Sequence, residues 1–275
     1  MITSTANAQV KELIRLMKKS RARDEAGVFL VEGPRMAGEL LEDSAWRAGI
    51  EKIYLSESYA EKHKKELPAI KSRAGMEILS DAVFAHVSDT KTPQGILAVV
   101  KRKEYGIEEI LGGDPSGAHI LVLDNLQDPG NLGTIFRTAE AAGATGILLS
   151  RDCVDIYNPK VIRSTMGAVF RVPFLYAEDL QGTIGELKRE GIKVYAAHLK
   201  GKKAYDQEDY REGCAFLIGN EGNGLRDEIA GCADHYVIIP MLGRAESLNA
   251  AVAAAVLMFE VSRQRRSLSV EQERG

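Results

Sequence analysis

Three segments of the chain carry polar residues whose types and spacing suit chemistry better than packing. The first, residues 124–139 (DNLQDPGNLGTIFRTA), follows an apolar run at 119–123, so it lies at the carboxyl end of a predicted strand, where open α/β sheets bind ligands. Within it Asn131 is a good helix-capping residue, Gly133 permits close backbone approach, and Arg137 falls on the ensuing helix before a stop at Gly143. The second, residues 216–225 (FLIGNEGNGL), is another buried strand running into a glycine-rich turn, with the carboxylate of Glu221 where the turn itself needs no charge. The third, residues 238–250 (IIPMLGRAESLNA), offers Ser247 as the cap of a final helix and places Asn249 in its first turn. Taken singly, each segment also has a purely structural reading: a cap with a solvent-facing arginine, a strand-to-helix turn, and a capping serine.

Several chemistries are excluded. The glycine turn has neither the G-x-G-x-x-G spacing of a dinucleotide fingerprint nor the G-K-[ST] ending of a triphosphate loop, which argues against a dinucleotide-dependent oxidoreductase. Cys153, Cys214 and Cys232 are far apart, with no C-x-x-C pair and no clustered histidines, so reduced structural thiols and no metal are expected. The longest apolar run, 250–259, is too short for a membrane span and reads as a buried helix. The opening residues lack the basic and apolar regions of a secretory signal, so a cytoplasmic protein is expected.

The elements that must position these groups follow from the pattern. In 275 residues, 45% are hydrophobic and 27% charged, enough for two globular domains. A net charge of −3 provides no global attraction for nucleic acid, so any such contact needs local basic patches. One is the start of the chain: Lys11, Arg15, Lys18, Lys19, Arg21 and Arg23 face only Glu12, around an apolar stripe of Val10, Leu13, Ile14 and Met17. A basic helix over 1–26 is therefore predicted, either solvated or facing RNA. Residues 27–104 alternate strand and helix: strand 28–32, helix 34–48, strand 53–55, a further helix, strand 75–78, helix 81–85 and strand 95–100. Gly112-Gly113-Asp114-Pro115-Ser116-Gly117 breaks the pattern, and 105–118 is read as a linker. From 119 to 266 apolar runs at 119–123, 146–149, 193–197, 215–218 and 236–239 alternate with helices, implying a parallel sheet covered on both faces. A last helix over 247–266 repeats apolar residues at Leu248, Ala251, Val252, Ala255, Val256 and Phe259, a face that packs on the sheet or on a second subunit. The tail, 267–275, is expected to fray.

In this order and at strand ends, the three segments resemble the motifs of the SpoU/TrmH-like (SPOUT) RNA 2′-O-methyltransferases: N-x-G-x-x-x-R in the first, G-N-E-G-x-G in the second, I-P-M-x-G-x-x-x-S-L-N in the third. Residues 164–168 (STMGA) are similar to the family's small-residue element, and 29–33 (FLVEG) and 92–98 (TPQGILA) to the opening and closing of its RNA substrate-binding domain. Ala250 and Ala251 depart from the Val and Ser common in relatives.

The resemblance implies an α/β protein with a C-terminal parallel-sheet SPOUT domain, tied in a trefoil knot and dimerising through it, behind a small N-terminal α/β RNA substrate-binding domain. It implies S-adenosylmethionine as cofactor, held largely by backbone groups around Gly219, Ile239 and Leu248, with Asn220, Met241 and Ser247 nearby. The reaction implied is methylation of a ribose 2′-hydroxyl, in ribosomal RNA of the 23S type. The residues implied for catalysis are Asn131, Arg137, Glu221, Ser247 and Asn249. Guanidinium keeps its proton above a pKa of about 12, so Arg137 suits a phosphate and a developing alkoxide, and Glu221 is the alternative proton acceptor. The other readings are a transfer RNA methyltransferase and a catalytically silent RNA-binding or ribosome-assembly protein on the same scaffold.

Overall fold

The computed structural model describes residues 1–272, which divide into two compact units. The first comprises Met1–Lys103 and Asp155–Gly167; the second comprises Glu104–Val154 and the chain from Ala168 onward.

The first unit opens with helices α1 (Ala8–Lys18) and α2 (Ser20–Ala26), followed by β1 (Val28–Glu32), α3 (Pro34–Glu42), α4 (Ser44–Ala48), β2 (Ile50–Ser56), α5 (Glu57–Lys62), α6 (Leu67–Arg73), β3 (Met76–Leu79), α7 (Asp81–Val87) and β4 (Ile96–Lys101). The strands pair in the order β1-β4-β2-β3, with β4 antiparallel to both neighbours and β2 parallel to β3. Where one helix was expected over 34–48, the chain breaks at Asp43. Its carboxylate accepts from the amides of Ala45 and Trp46 and starts α4 afresh. The basic opening buries Val10, Leu13, Leu16 and Met17 in the core of this unit, which leaves Lys11, Arg15, Lys18, Lys19 and Arg21 exposed, whereas Arg23 is buried.

Residues 155–167 enter this unit and carry a helix of their own. Arg23, only 3% exposed, donates to the carbonyl of Leu16 at 2.7 Å and to the carboxylate of Asp155. The Arg102 guanidinium stacks 4.4 Å from the Tyr157 ring centre.

The second unit runs α8 (Ile107–Leu111), β5 (His119–Leu123), α9 (Pro129–Ala142) and β6 (Gly146–Ser150); the inserted α10 (Pro159–Thr165) follows in sequence. Then come β7 (Phe174–Ala177), α11 (Leu180–Arg189), β8 (Lys193–Ala197), β9 (Lys203–Ala204), β10 (Cys214–Ile218), α12 (Asp227–Ala230), β11 (His235–Ile238) and α13 (Ala250–Gln272). All pairings in its seven-stranded sheet, ordered β7-β6-β5-β10-β8-β11-β9, are parallel. β5, β6 and β10 are buried along their whole length, as their mostly apolar sequences require, with His119 and Ser150 the polar residues among them. β7 and β9 were not foreseen: one is a four-residue edge strand and the other has two residues.

The final helix starts at Ala250 rather than at 247, and it continues through Gln272 where a frayed tail was expected; residues 273–275 lie outside the described residues. Its buried face is Ala251, Ala254, Leu257, Met258 and Val261. Val252 and Phe259, assigned to the packing stripe from periodicity, are 48% and 44% exposed. Every residue from 250 to 259 is apolar, so spacing alone could not choose between the two faces.

Candidate active site

The three polar segments meet at the carboxyl ends of β5, β10 and β11. Asp124 directly follows β5 and is fully buried, and its carboxylate accepts from the Arg226 amide at 3.0 Å, from Arg226 Nε at 2.8 Å and from Nη2. The Asp124 amide donates to the Ile218 carbonyl at 2.8 Å, tying the ends of β5 and β10 together. Asn125 sits in the left-handed region at φ 53°, which places its carbonyl 2.7 Å from Asn220 Nδ2. Asn220 Oδ1 in turn accepts from the amides of Gly222 and Asn223, and its backbone pairs both ways with Gly224. A Cβ on Gly219 would fall 2.1 Å from the Gly224 carbonyl carbon, so that position is glycine because the turn packs upon itself.

Glu221 crosses from this turn to the first segment. Its carboxylate accepts from Asn131 Nδ2 at 2.9 Å, from the Asp128 amide at 3.1 Å and from the Gln127 amide at 3.3 Å. Burial alone would raise its pKa, but the hydrogen bonds from Asn131 and from backbone amides outweigh burial and hold it below the usual glutamate value. Asn131 Oδ1 accepts from Asn249 Nδ2 at 2.9 Å, and Asn249 Oδ1 accepts from the amides of Ala251 and Val252. Glu221, Asn131 and Asn249 thus form one hydrogen-bonded chain across all three segments.

Two capping assignments change. Asp128, not Asn131, caps α9: its Oδ1 accepts from the Asn131 amide at 2.8 Å, with Pro129 at the first helical position. Asn249, not Ser247, caps α13, and Ser247 lies exposed in the preceding loop.

Beside this chain lies a cavity of about 330 Å³. Gly219, Asn220, Ile239, Met241, Ser247 and Leu248 all line it, together with Glu221. Its apolar walls come from Ile218, Val237, Ala250 and Ala253, and its rim from Glu246 and Ser247. Arg137 does not line it. It stands six residues beyond Asn131 on α9, about 9 Å along the helix, its side chain exposed and without a hydrogen bond or ion pair among the described residues. Asp124, Arg226, Asn125 and Asp128 escaped sequence reasoning as contributors to this region. The available signal was Asp124, a charge abutting the apolar residues 120–123 of a buried strand, which demands a partner if buried.

Among the described residues no group of three or more His, Cys, Asp or Glu is placed to hold a metal ion, and no helix is long and apolar enough to cross a membrane.

Against known proteins, residues 118–259 match the SpoU rRNA Methylase family, and residues 7–98 match the MRM3-like substrate binding domain. The chain is 34% identical over 261 residues to the 23S rRNA (guanosine(2553)-2′-O)-methyltransferase RlmP of Bacillus subtilis, covering 94% of this chain and 98% of that protein. The AdoMet-bound rRNA methyltransferase of Sinorhizobium meliloti superposes with a TM-score of 0.83 at 30% identity, over 95% of this chain and 97% of that one. The AdoMet complex of the SpoU methyltransferase AviRb from Streptomyces viridochromogenes gives a TM-score of 0.84 at 26% identity, over 95% and 99%. With more than half of the chain under the family model and a full-length relative at this identity, the protein belongs to the SpoU rRNA Methylase family.

Proposed function

We propose that this protein is an S-adenosylmethionine-dependent methyltransferase that modifies a ribose 2′-hydroxyl in 23S-type ribosomal RNA. The observation that carries the reading is the hydrogen-bonded chain Glu221–Asn131–Asn249 beside a cavity lined by all six residues expected to hold the cofactor.

The cavity suits the cofactor: apolar walls at Ile218, Val237, Ala250 and Ala253 match an adenine ring, and backbone polar groups at Gly219, Ile239 and Leu248 can read its edge. Asn220, Met241 and Ser247 complete the surround. When bound, S-adenosylmethionine supplies a methyl group on a positively charged sulfur. The protein must then hold the ribose oxygen in line with that group, which is chiefly a matter of positioning.

Asn131 and Asn249 orient one another and the loop between β11 and α13. The Glu221 carboxylate already accepts three hydrogen bonds and has a lowered pKa, so its part is to hold the loop after β5 in place. Arg137, with no protein partner among the described residues, is available to grip an RNA phosphate and to stabilise alkoxide charge as it develops. Ser247 stands at the rim as a further hydroxyl for the ribose.

The same reading includes the family's trefoil knot, a cytoplasmic location and a homodimer. The exposed apolar residues Val252 and Phe259, on the helix that Asn249 caps, support a second copy of the chain as the occupant of that face.

The test is transfer of labelled methyl from S-adenosylmethionine to RNA. A 23S rRNA transcript should acquire label at one ribose, recovered as an alkali-resistant dinucleotide. Label on transfer RNA alone, label on a base, or no transfer with any RNA would overturn the reading.

A further inference from the structure

Among the described residues of the first unit, four buried side-chain atoms of charged groups have no hydrogen-bond partner, Arg23 Nε, Arg102 Nη2, Glu32 Oε2 and Arg163 Nη1, and the last two belong to residues that face each other across a cavity. Both residues line one small cavity of about 10 Å³, walled otherwise by Met17, Leu30, Pro159 and Ile162. The remaining atoms of each group are engaged. Glu32 Oε1 accepts from Ser88 Oγ at 2.6 Å and from Thr90 Oγ1 at 3.0 Å, and Arg163 Nη2 donates to Asp89 at 2.9 Å. Leaving a carboxylate oxygen and a guanidinium nitrogen unsatisfied in an apolar-walled pocket is costly, so the pocket requires an occupant.

The chemistry of the two faces restricts that occupant. A cation is repelled by Arg163 and an anion by Glu32. The ligand must be neutral, must donate to the carboxylate and accept from the guanidinium, and must fit a space with room for one molecule the size of water. Water meets all of these conditions.

We propose that a single internal water bridges Glu32 Oε2 and Arg163 Nη1 and forms a positioning element for residues 155–167. This segment belongs to the first unit, but both chain ends leading into it are held in the second unit by elements of the candidate site. Before it, the Val154 amide donates to the Leu126 carbonyl at 2.8 Å and the Leu126 amide to Cys153 Sγ at 3.2 Å, next to the Gln127 and Asp128 amides that hold Glu221. After it, the turn Ala168–Phe170 packs on α9, which carries Asn131 and Arg137. The hydrated Glu32–Arg163 pair therefore fixes the middle of this segment within the first unit.

The proposal is tested first on the unmodified protein. A high-resolution crystal structure should contain one ordered solvent peak within hydrogen-bond distance of both Glu32 Oε2 and Arg163 Nη1. A direct Glu32–Arg163 contact, or no peak between them, overturns it. The second test is amide hydrogen exchange on the full-length protein. Glu32→Ala and Arg163→Ala should each speed exchange across residues 158–165 by about tenfold, with β5 and β10 unchanged. Unaltered exchange in that segment, or an equal rise throughout the chain, rejects the positioning role. Neither measurement depends on methyltransferase activity.

Discussion

Asn249 Nδ2 donates to Asn131 Oδ1 at 2.9 Å across a sequence separation of 118, while its Oδ1 caps α13. The two halves of one side-chain amide thus serve the fold and the site separately, and substitution can divide them. Asn249→Asp retains the capping oxygen but loses the donor. It should keep its melting temperature within about 2 °C while methyl transfer falls about 10–100-fold, the loss expected when a positioning hydrogen bond is removed. Asn249→Ala should lose the cap as well, at a cost of about 1 kcal/mol. Thermal melts and initial rates on the two variants separate the roles; a fully active Asn249→Asp would remove Asn249 from the site.

Glu221 is the second separable case. Hydrogen bonding holds its folded pKa below the ordinary value of 4.5 even though burial opposes this, so its stabilising contribution is complete above that value and is lost as pH falls through the lower folded pKa. Acid unfolding followed by fluorescence should therefore be less steep below pH ~4.5 in Glu221→Gln than in the wild type. If Glu221 only positions the loop after β5, Glu221→Gln should slow methylation at every pH without altering the shape of the rate profile between pH ~6 and ~9. With the profile carried down to pH ~4, a wild-type acid limb below pH ~4.5 that is missing in Glu221→Gln would identify Glu221 as the proton acceptor.

Asn131, Glu221 and Asn249 could be picked out in the sequence as a capping residue, a charge set among glycines and a polar residue heading an apolar helix, each within a motif of the resembled family. Their mutual bonding could not, since nothing local records that the start of α13 lies against the first turn of α9. The caps were misassigned for a related reason. Asp128 and Asn131, like Ser247 and Asn249, are all good capping types, and in α9 it is Pro129, fixing φ at the first helical position, that favours Asp128. The parallel sheet was legible wherever strands are fully buried, and illegible at β7 and β9, which are short and at or near its edges. Membership of residues 155–167 in the first unit has no local signature; it depends on Arg23 and Arg102, more than fifty positions away.

Arg137 is exposed and unpaired among the described residues, so removing it should leave the fold intact. Arg137→Ala should melt within about 1 °C of the wild type, as surface substitutions generally do, and should lose at least about 100-fold in turnover with RNA. Arg137→Lys restores the charge but not the two-pronged geometry that a phosphate or alkoxide can use, so its recovery should be slight. A variant with unchanged turnover would show that this guanidinium takes no part in the reaction.

The proposed homodimer makes an equally direct prediction. Val252 and Phe259 lie two turns apart on α13, both largely exposed in the single chain. A carboxylate at either position would be buried without a partner in a two-copy interface, at a cost of several kcal/mol. Phe259→Asp and Val252→Glu should therefore elute as monomers in size-exclusion chromatography with light scattering, with unchanged circular dichroism. A wild-type monomer, or a dimer that tolerates both changes, would place the interface elsewhere.

Asp124 and Arg226 offer the sharpest stability test, because the carboxylate is fully buried while its partner is partly open to solvent. Removing the guanidinium in Arg226→Ala strands a buried charge at the junction of β5 and β10, and urea denaturation should report a loss of about 3 kcal/mol. Much of that loss comes from the abandoned carboxylate rather than from the pair itself. Adding Asp124→Asn to Arg226→Ala supplies a neutral side chain of the same size, still able to accept from the Arg226 backbone amide, so the double variant should be more stable than Arg226→Ala alone. If Arg226→Ala costs less than about 1 kcal/mol, or if the second substitution deepens the loss, the ion pair is not what holds the two strand ends together.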